Sequence, residues 1–243
     1  MEIFEKIDSQ YGQIAVLIDP EKVKNDKSLI ALVNKINLAA ADFIFIGGST
    51  VSRDEFTKAI EIVKAHTQIP IVIFPGSNIQ LSNKANALLY LSLVSGRNPD
   101  YLIGQHIESA EDVLNLGIEV LPTAYILIDG ERPSSVAYVS QTSPIPRGQT
   151  NIAVKTALAA TLQGKKIVFL DAGSGAKKSV PFNMINAIKQ KVACPIIVGG
   201  GVKDIQAIEK YKDLKVNVIV IGNKIEEDLD FLLDLKNFKQ LQS

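Results

Sequence analysis

The chain has very little of several residues that would point to particular functions. Among its 243 residues there is one cysteine, Cys194, and there are only two histidines. A single cysteine cannot form a disulfide within the chain, and no Cys/His cluster with the spacing of a zinc site is present. Lysine plus arginine and aspartate plus glutamate balance at 26 each. The sequence therefore does not predict a nucleic-acid-binding surface.

Long apolar runs are also missing. No stretch approaches the ~20 consecutive apolar residues that a membrane-spanning helix needs. The first ten residues, MEIFEKIDSQ, carry charges and lack the apolar region of a secretory signal. We therefore expect a cytoplasmic protein without a transmembrane segment.

What the chain does contain is a regular alternation of short apolar runs and helical patterns. Continuous apolar runs are typical of parallel strands that are covered on both faces, and the length is close to that of one (β/α)8 barrel. The sequence predicts a single barrel domain over residues 1–243, and an open doubly wound sheet is the alternative. The predicted strands are residues 14–18, 43–46, 71–74, 88–94, 120–128, 167–170, 195–198 and 216–221.

The regions between the strands are less uniform. Ser52 and Glu55 have the spacing of a capping box at the start of one helix. Residues 99–107 lack a helical stripe, and a short helix is expected over 109–116. Residues 129–150 form a long, proline-containing connection, and such loops are usually functional. Residues 226–238 predict one closing helix with acidic residues in its first turn.

The last three predicted strands each end in glycine. Asp171 is followed by Gly173-Ser174-Gly175, the seventh strand runs into Gly199-Gly200-Gly201, and the eighth ends at Gly222-Asn223. Glycine lets backbone N–H groups approach a ligand closely, and the last strands of such barrels carry a phosphate site. We predict a phosphate cup there. A dinucleotide fingerprint is the weaker interpretation, because Lys178 stands where its third glycine would be.

Polar residues also follow the first two strands. Asp19 ends the first strand and Ser49 comes shortly after the second. A carboxylate and a hydroxyl, completed by waters and a substrate phosphate, suit Mg²⁺. The alternative is that Asp19 only caps a turn with Pro20. Asp171 could likewise be a cap, although its place beside the predicted phosphate loop favours a function.

Seven short motifs, taken in order, resemble one known family. The chain is similar to geranylgeranylglyceryl phosphate synthase and its prenylglyceryl phosphate synthase relatives, in the second of the family's two main groups, over essentially its whole length. The motifs are residues 17–22 (LIDPEK), 47–49 (GGS), 74–76 (FPG), 95–99 (SGRNP), 170–176 (LDAGSGA), 198–202 (VGGGV) and 221–223 (IGN).

The resemblance implies a modified TIM (β/α)8 barrel in which the third helix is replaced by an extended segment, which we expect at residues 99–107. It implies that the 3-hydroxyl of sn-glycerol 1-phosphate attacks a long-chain prenyl diphosphate, with Asp171 acting on that hydroxyl and Mg²⁺ held by Asp19 and Ser49. It also implies a homodimer or homohexamer. The implied glycerol phosphate site comprises Phe169, Leu170, Asp171, Ala172, Gly173, Ser174, Gly175, Gly200, Gly201, Gly222 and Asn223.

Two positions depart from the family pattern. Phe169 and Asp171 stand where many relatives have tyrosine and glutamate, so that one hydroxyl is lost and the carboxylate sits on a shorter arm. Other phosphate-binding barrels remain as alternatives. A sugar-phosphate isomerase would need a clear second acid/base partner for Asp171, and a flavin-binding barrel or a non-catalytic phosphate sensor would use the same cup.

Overall fold

The computed structural model describes residues 2–240 and contains a closed, eight-stranded barrel. Consecutive strands are neighbours and pair in parallel, and β8 pairs with β1. This architecture confirms the predicted (β/α)8 barrel and rules out the open sheet. The strands are β1 Gln13–Ile18, β2 Phe43–Ile46, β3 Ile71–Ile73, β4 Ala87–Leu93, β5 Glu119–Leu127, β6 Ile167–Asp171, β7 Ile196–Gly199 and β8 Val218–Ile221.

Helices occupy most of the connections between strands. The capping box at Ser52 and Glu55 is present as predicted and begins α3. The helices are α1 Ile3–Ser9, α2 Asp26–Leu38, α3 Arg53–His66, α4 Gln105–Asn115, α5 Ser135–Ser140, α6 Thr150–Leu162, α7 Phe182–Lys189, α8 Ile205–Asp213, α9 Asn223–Glu227 and α10 Phe231–Gln240. Over residues 2–240, none of these helices combines the length and apolarity needed to cross a bilayer.

The alternation of side chains along each strand produces two apolar layers. One set points into the barrel and packs around Phe45, Leu89 and Phe169. The other set points outward and packs against the helices, as Ile44 and Leu170 do. Residues within one strand therefore differ in whether they can reach a ligand inside the barrel.

Helix α1 closes the amino-terminal end of the barrel. Ile3 and Ile7 are buried against the inner layer. The Glu119 carboxylate at the start of β5 accepts hydrogen bonds from the backbone N–H groups of Ile3 and Phe4, at 2.5 and 2.9 Å. A carboxylate at a helix N-terminus satisfies unpaired N–H groups and complements the helix dipole.

The third barrel helix is absent, as the family resemblance implies, but not where we expected. The helix-free segment is residues 74–86, between β3 and β4. Gln80 is buried there and holds the segment, because its amide nitrogen donates to the carbonyls of Gly48 and Val51 at 2.8 and 3.2 Å. The strands beside this segment pair over only two positions, Val72 with Ala87 and Ile73 with Leu88.

The expectation of an extended segment at residues 99–107 was wrong. Residues Asp100–Gly104 form a π-helix that continues into α4. The helical stripe was not visible in the sequence because Ile103 and Ile107 point outward, with 56% and 70% of their surface exposed. Apolar residues therefore occupy the outer face of this helix, which sequence reasoning assigns to polar residues.

Two other connections differ from the prediction. The long connection over residues 129–150 contains α5. The predicted closing helix over 226–238 is two helices, because Asp228 adopts an extended conformation after α9. Glu226 consequently lies in the short helix α9 rather than in one long closing helix, and it lines the cavity described next.

Candidate active site

A cavity of about 510 Å³ lies at the carboxyl ends of the strands. Its lining is made of three adjoining regions. The loops after β6, β7 and β8 form a glycine-rich cup, the loops after β1 and β2 bring Asp19 and Ser49 together at one side, and an apolar groove runs toward α4. The barrel thus joins a polar pocket and an apolar one in a single space.

The cup depends on four glycines with positive φ. Gly173, Gly175, Gly200 and Gly201 have φ values of 87°, 70°, 77° and 69°, a conformation that side chains other than glycine rarely adopt. A Cβ at Gly200 would lie 2.6 Å from Asp171 Oδ1 and 2.7 Å from the Gly173 nitrogen. The three loops therefore approach as closely as the sequence predicted, and they do so because there is no side chain between them.

Three donors of the loop after β6 already have partners within the protein. Asn223 Oδ1 accepts hydrogen bonds from the Gly175 N–H at 2.9 Å and from the Ser174 hydroxyl at 3.1 Å. The Gly173 N–H donates to Asp171 Oδ1 at 2.8 Å. A phosphate in the cup would therefore compete with the Asn223 carboxamide for the Gly175 N–H.

Asp171 ends β6 and is buried, with 7% of its surface exposed. The Tyr125 hydroxyl donates to Asp171 Oδ2 at 2.5 Å. Burial raises the pKa of Asp171, whereas the hydrogen bonds from Tyr125 and the Gly173 N–H lower that pKa in part. Burial and the neighbouring carboxylate raise the pKa of Tyr125 well above its usual value, so Tyr125 remains a donor.

Three aromatic rings form the floor of the cavity. The Phe169 ring lies 5.0 Å from the Phe74 ring and 5.4 Å from the Tyr125 ring, measured between centroids. Phe169 therefore belongs to the cavity lining through a packed aromatic cluster, and its own ring is fully buried. Leu170 and Ala172, which were assigned to the glycerol phosphate site, pack in the outer layer. Only their backbone atoms can take part in such a site.

Asp19 and Ser49 both line the cavity, as predicted. Asp19 also caps the short 3-10 turn that follows it, because its Oδ1 accepts the Glu21 N–H at 3.2 Å. The structural interpretation of Asp19 as a turn cap is therefore correct, and it leaves the second carboxylate oxygen without a role in the cap. Burial raises the pKa of Asp19, and the charge of Lys22, whose Nζ lies 3.8 Å from Oδ2, lowers it in part.

The donor set at this side of the cavity fits Mg²⁺ as a partly hydrated ion. Over residues 2–240 there is no group of three or more His, Cys, Asp or Glu side chains that could hold a metal, so a full protein cage is excluded there. Asp19, the Ser49 hydroxyl and the nearby Glu21 offer oxygen ligands, and Glu21 is itself held by the Thr50 hydroxyl at 2.5 Å. Mg²⁺ typically binds through one or two carboxylates, waters and substrate phosphates.

Sequence reasoning missed a cation between the two polar parts of the cavity. Lys22 Nζ donates to the Ser174 hydroxyl at 3.1 Å and forms an ion pair with Glu226 at 3.0 Å. Arg132 adds a second positive charge, with its guanidinium 3.4 Å from the Gly175 carbonyl. Lys22 belongs to the motif at residues 17–22, which the sequence analysis identified. Its contact with Ser174 in the cup depends on the fold, so the spacing of residues in the sequence could not predict it.

The apolar groove occupies the side of the cavity where the third barrel helix is absent. Its walls come from β4, from the helix-free segment and from α4, and Asn78 crosses between them with a hydrogen bond of 2.6 Å to Glu108. Arg97, another strand-end residue, instead bonds to the carbonyls of its own loop. The groove is lined by Leu81, Leu88, Tyr90, Leu91, Tyr101 and Val113.

Comparison with known proteins places this geometry in one family. The PcrB family matches residues 8–240. A geranylgeranylglyceryl phosphate synthase from Chitinophaga pinensis is 46% identical over 223 residues, which cover 91% of this chain and 87% of the relative. A protein of the same name from Flavobacterium johnsoniae is 44% identical over 218 residues, covering 90% and 89%.

The fold comparison agrees. The crystal structure of (S)-3-O-geranylgeranylglyceryl phosphate synthase from Thermoplasma acidophilum, in complex with its substrate sn-glycerol-1-phosphate, superposes with a TM-score of 0.90 at 30% identity. The match covers 97% of this chain and 96% of that one. Sequence, fold and cavity together show that the chain belongs to the PcrB family, in which its relatives are geranylgeranylglyceryl phosphate synthases.

Proposed function

We propose that the protein is a prenyltransferase that joins the 3-hydroxyl of sn-glycerol 1-phosphate to a prenyl diphosphate, releasing diphosphate and forming an ether. Geranylgeranyl diphosphate is the donor that we expect. The observation that carries the proposal is the single cavity in which a glycine-rich cup opens directly into an apolar groove. The relatives' names and the glycerol phosphate bound by the Thermoplasma protein support the same reaction.

In this proposal the cup binds the phosphate of the glycerol substrate. Backbone N–H groups of the loops after β6, β7 and β8 would bind the anion, and Lys22 and Arg132, which contact the loop after β6, add positive charge beside it. The 3-hydroxyl then lies near Asp171 at the inner wall of the cup. Because a hydroxyl pKa is far above neutral, Asp171 orients the group and accepts its proton as the new bond forms.

The prenyl diphosphate is proposed to lie with its tail in the groove and its diphosphate toward Asp19 and Ser49. These two residues, joined by Glu21, would hold Mg²⁺, which when bound supplies positive charge to the leaving diphosphate. Lys22 lies between this position and the cup. It is placed to neutralise charge on both substrates, so that the two anions can approach each other.

The direct test is incubation of the purified protein with sn-glycerol 1-phosphate and prenyl diphosphates of increasing length. Mass spectrometry of the extracted lipid identifies the product, and parallel reactions with Mg²⁺ or with a chelator test the metal requirement. We expect a prenylglyceryl phosphate, formed only with the metal. No product with any donor length would overturn the proposal. Product of equal amount in the presence of chelator would remove the metal from it.

A cup residue with room for a methyl group is Gly222. A Cβ there would lie 3.5 Å from Leu17, an ordinary contact distance. Its φ and ψ of −122° and −83° lie outside the regions that other residues prefer, so alanine adds some backbone strain, which a thermal melt measures. We expect Gly222→Ala to raise the KM for sn-glycerol 1-phosphate by roughly tenfold, since one methyl group takes space in the cup. Steady-state kinetics with each substrate varied separately would measure it.

Gly148→Ala is the matched control, because a Cβ at Gly148 meets nothing within 4 Å. Gly200→Val is a poorer probe, since its Cβ would displace the Asp171 carboxylate as well as fill the cup. If Gly222→Ala weakened binding of the prenyl diphosphate and left the glycerol substrate unaffected, the two substrates would be assigned the wrong way round.

We also propose that the protein works in the cytoplasm as a homodimer or homohexamer. Its single cysteine is free and requires no oxidising compartment. The outer face of α4 supports an oligomer, because Ile107 and Leu114 are 70% and 82% exposed. Exposed apolar residues grouped on one helix face are typical of an interface.

Ile107→Glu should therefore lower the mass of the particle at micromolar concentration, because it places a charge in that interface. Light scattering measures the mass directly. Leu38→Glu serves as the control, since Leu38 is 61% exposed on a different helix, α2. A monomeric mass for the unaltered protein would contradict the oligomer, and an unchanged mass for Ile107→Glu would place its interface elsewhere.

A further inference from the structure

The lost hydroxyl at Phe169 has a counterpart on the neighbouring strand. In the parallel register of β5 and β6, Tyr125 pairs with Phe169, and Leu127 pairs with Asp171. The Tyr125 side chain points into the barrel, stands edge-on to the Phe169 ring at 81°, and reaches up to the carboxylate of Asp171. The hydroxyl beside the carboxylate is thus supplied by β5 and not by β6.

We propose that Tyr125 is the positioning residue that holds the Asp171 carboxylate in its ionised, cavity-facing orientation. The inference deepens the proposed function, because it rests on Asp171 acting on the glycerol hydroxyl. Tyr125 is 4% exposed, and its ring is fixed between Phe74 and Phe169, at 5.7 and 5.4 Å between centroids. Its hydroxyl therefore has little freedom to point elsewhere.

Both oxygens of the Asp171 carboxylate accept hydrogen bonds from the protein. Oδ1 accepts the Gly173 N–H at 2.8 Å and Oδ2 accepts the Tyr125 hydroxyl at 2.5 Å. Each oxygen thus has its own donor, which restricts rotation of the carboxylate and leaves its remaining lone pairs for a ligand. Without Tyr125, one oxygen of a buried carboxylate would lose its donor, which is costly for a charged group.

The electrostatic consequence follows from the same contact. Among residues 2–240, Tyr125 is the titratable group that hydrogen-bonds to Asp171. Gly199 at the end of β7 and Gly200 just after it lie beside the carboxylate and carry no titratable group, and the charged groups Asp19, Lys22, Arg132 and Glu226 also line the cavity. Burial raises the pKa of Asp171 and Tyr125 lowers it, so removal of the hydroxyl raises the pKa of the base.

Tyr125→Phe tests the proposal, because it keeps the ring and removes only the hydroxyl. We expect kcat to fall between about tenfold and a hundredfold near neutral pH. The acid limb of the kcat–pH profile should move to higher pH, while the KM for prenyl diphosphate stays within about twofold. The acid limb reports ionisation of the base. A loss of folded protein would lower kcat by the same factor at every pH and would leave the pH of the limb unchanged.

Thr123→Val is the matched control. Thr123 is a buried residue on the same strand whose hydroxyl bonds only to the Leu121 carbonyl, at 2.8 Å, so its removal should leave the profile in place. An unshifted acid limb in Tyr125→Phe, with Asp171→Asn inactive, would overturn the role of Tyr125 while leaving the proposed function intact. An active Asp171→Asn would instead overturn the assignment of the base. Absence of product from the unaltered protein would overturn the reaction itself.

Discussion

Asp19→Asn should abolish product formation at saturating Mg²⁺ while leaving the fold and the binding of sn-glycerol 1-phosphate intact. Asparagine keeps the size of the side chain and an oxygen that can accept the Glu21 N–H, so the turn after β1 should persist. It loses the negative charge that a hard divalent ion requires. Product mass, circular dichroism and calorimetric titration with glycerol phosphate measure the three expectations separately.

The appropriate comparison for this variant is Asp26→Asn. Asp26 lies in the first turn of α2, is largely exposed and pairs with Lys58 at 2.7 Å. The Asp26→Asn variant therefore also loses one charge and one ion pair, but at a position outside the cavity lining. We expect its turnover to be unchanged. Near-normal turnover of a folded Asp19→Asn protein would remove Asp19 from the metal role and leave it as a turn cap.

Asp171→Asn should lower kcat by about a hundredfold to ten-thousandfold, the usual range for loss of a general base. Its affinity for prenyl diphosphate should change little, because Asp171 lies in the wall of the cup rather than in the groove. Rapid-quench measurement of a single turnover would separate the chemical step from product release. Loss of prenyl diphosphate binding without a fall in the single-turnover rate would contradict this assignment.

The same substitution should not destabilise the protein at neutral pH. The pKa of Asp171 is raised in the folded state because the ionised group is buried. The folded protein therefore binds a proton more readily than the unfolded chain does, and stability falls as pH rises between the unfolded and the folded pKa values. Asparagine removes that dependence, so a thermal melt of Asp171→Asn should lose part of the pH dependence in the acidic range.

Much of the fold could be predicted because the signal was periodic and local. Continuous apolar runs located all eight strands, and a capping box located the start of α3. Glycines at the ends of β6, β7 and β8 predicted that these loops approach one another closely, since a positive φ limits the residue choice at Gly200 and Gly201. These features depend on a few neighbouring residues, and the sequence contains those directly.

What could not be predicted depends on which face a residue presents or on distant contacts. The π-helix and the start of α4 could not be predicted from the apolar pattern, because the side chains of Ile103 and Ile107 point outward instead of toward the core. The carboxamide of Asn223 occupies the cup through contacts 48 and 49 residues away in the chain. In the sequence, Tyr125 looks like an ordinary aromatic residue of a strand. Only the register of β5 and β6 shows that it lies next to Asp171.

The short pairing between β3 and β4 affects how the barrel moves. These strands share two register positions, as β7 and β8 do, whereas β4 and β5 share seven, and the connection between β3 and β4 contains no helix. Local opening costs least where few ladder hydrogen bonds must break. Gln80 and Asn86 hold this seam by side-chain bonds to the backbone of the neighbouring loop and of β3, respectively. Of the two shortest ladders, only the one between β3 and β4 borders the groove, so we expect the backbone amides of β3 to exchange with solvent faster than those of β5.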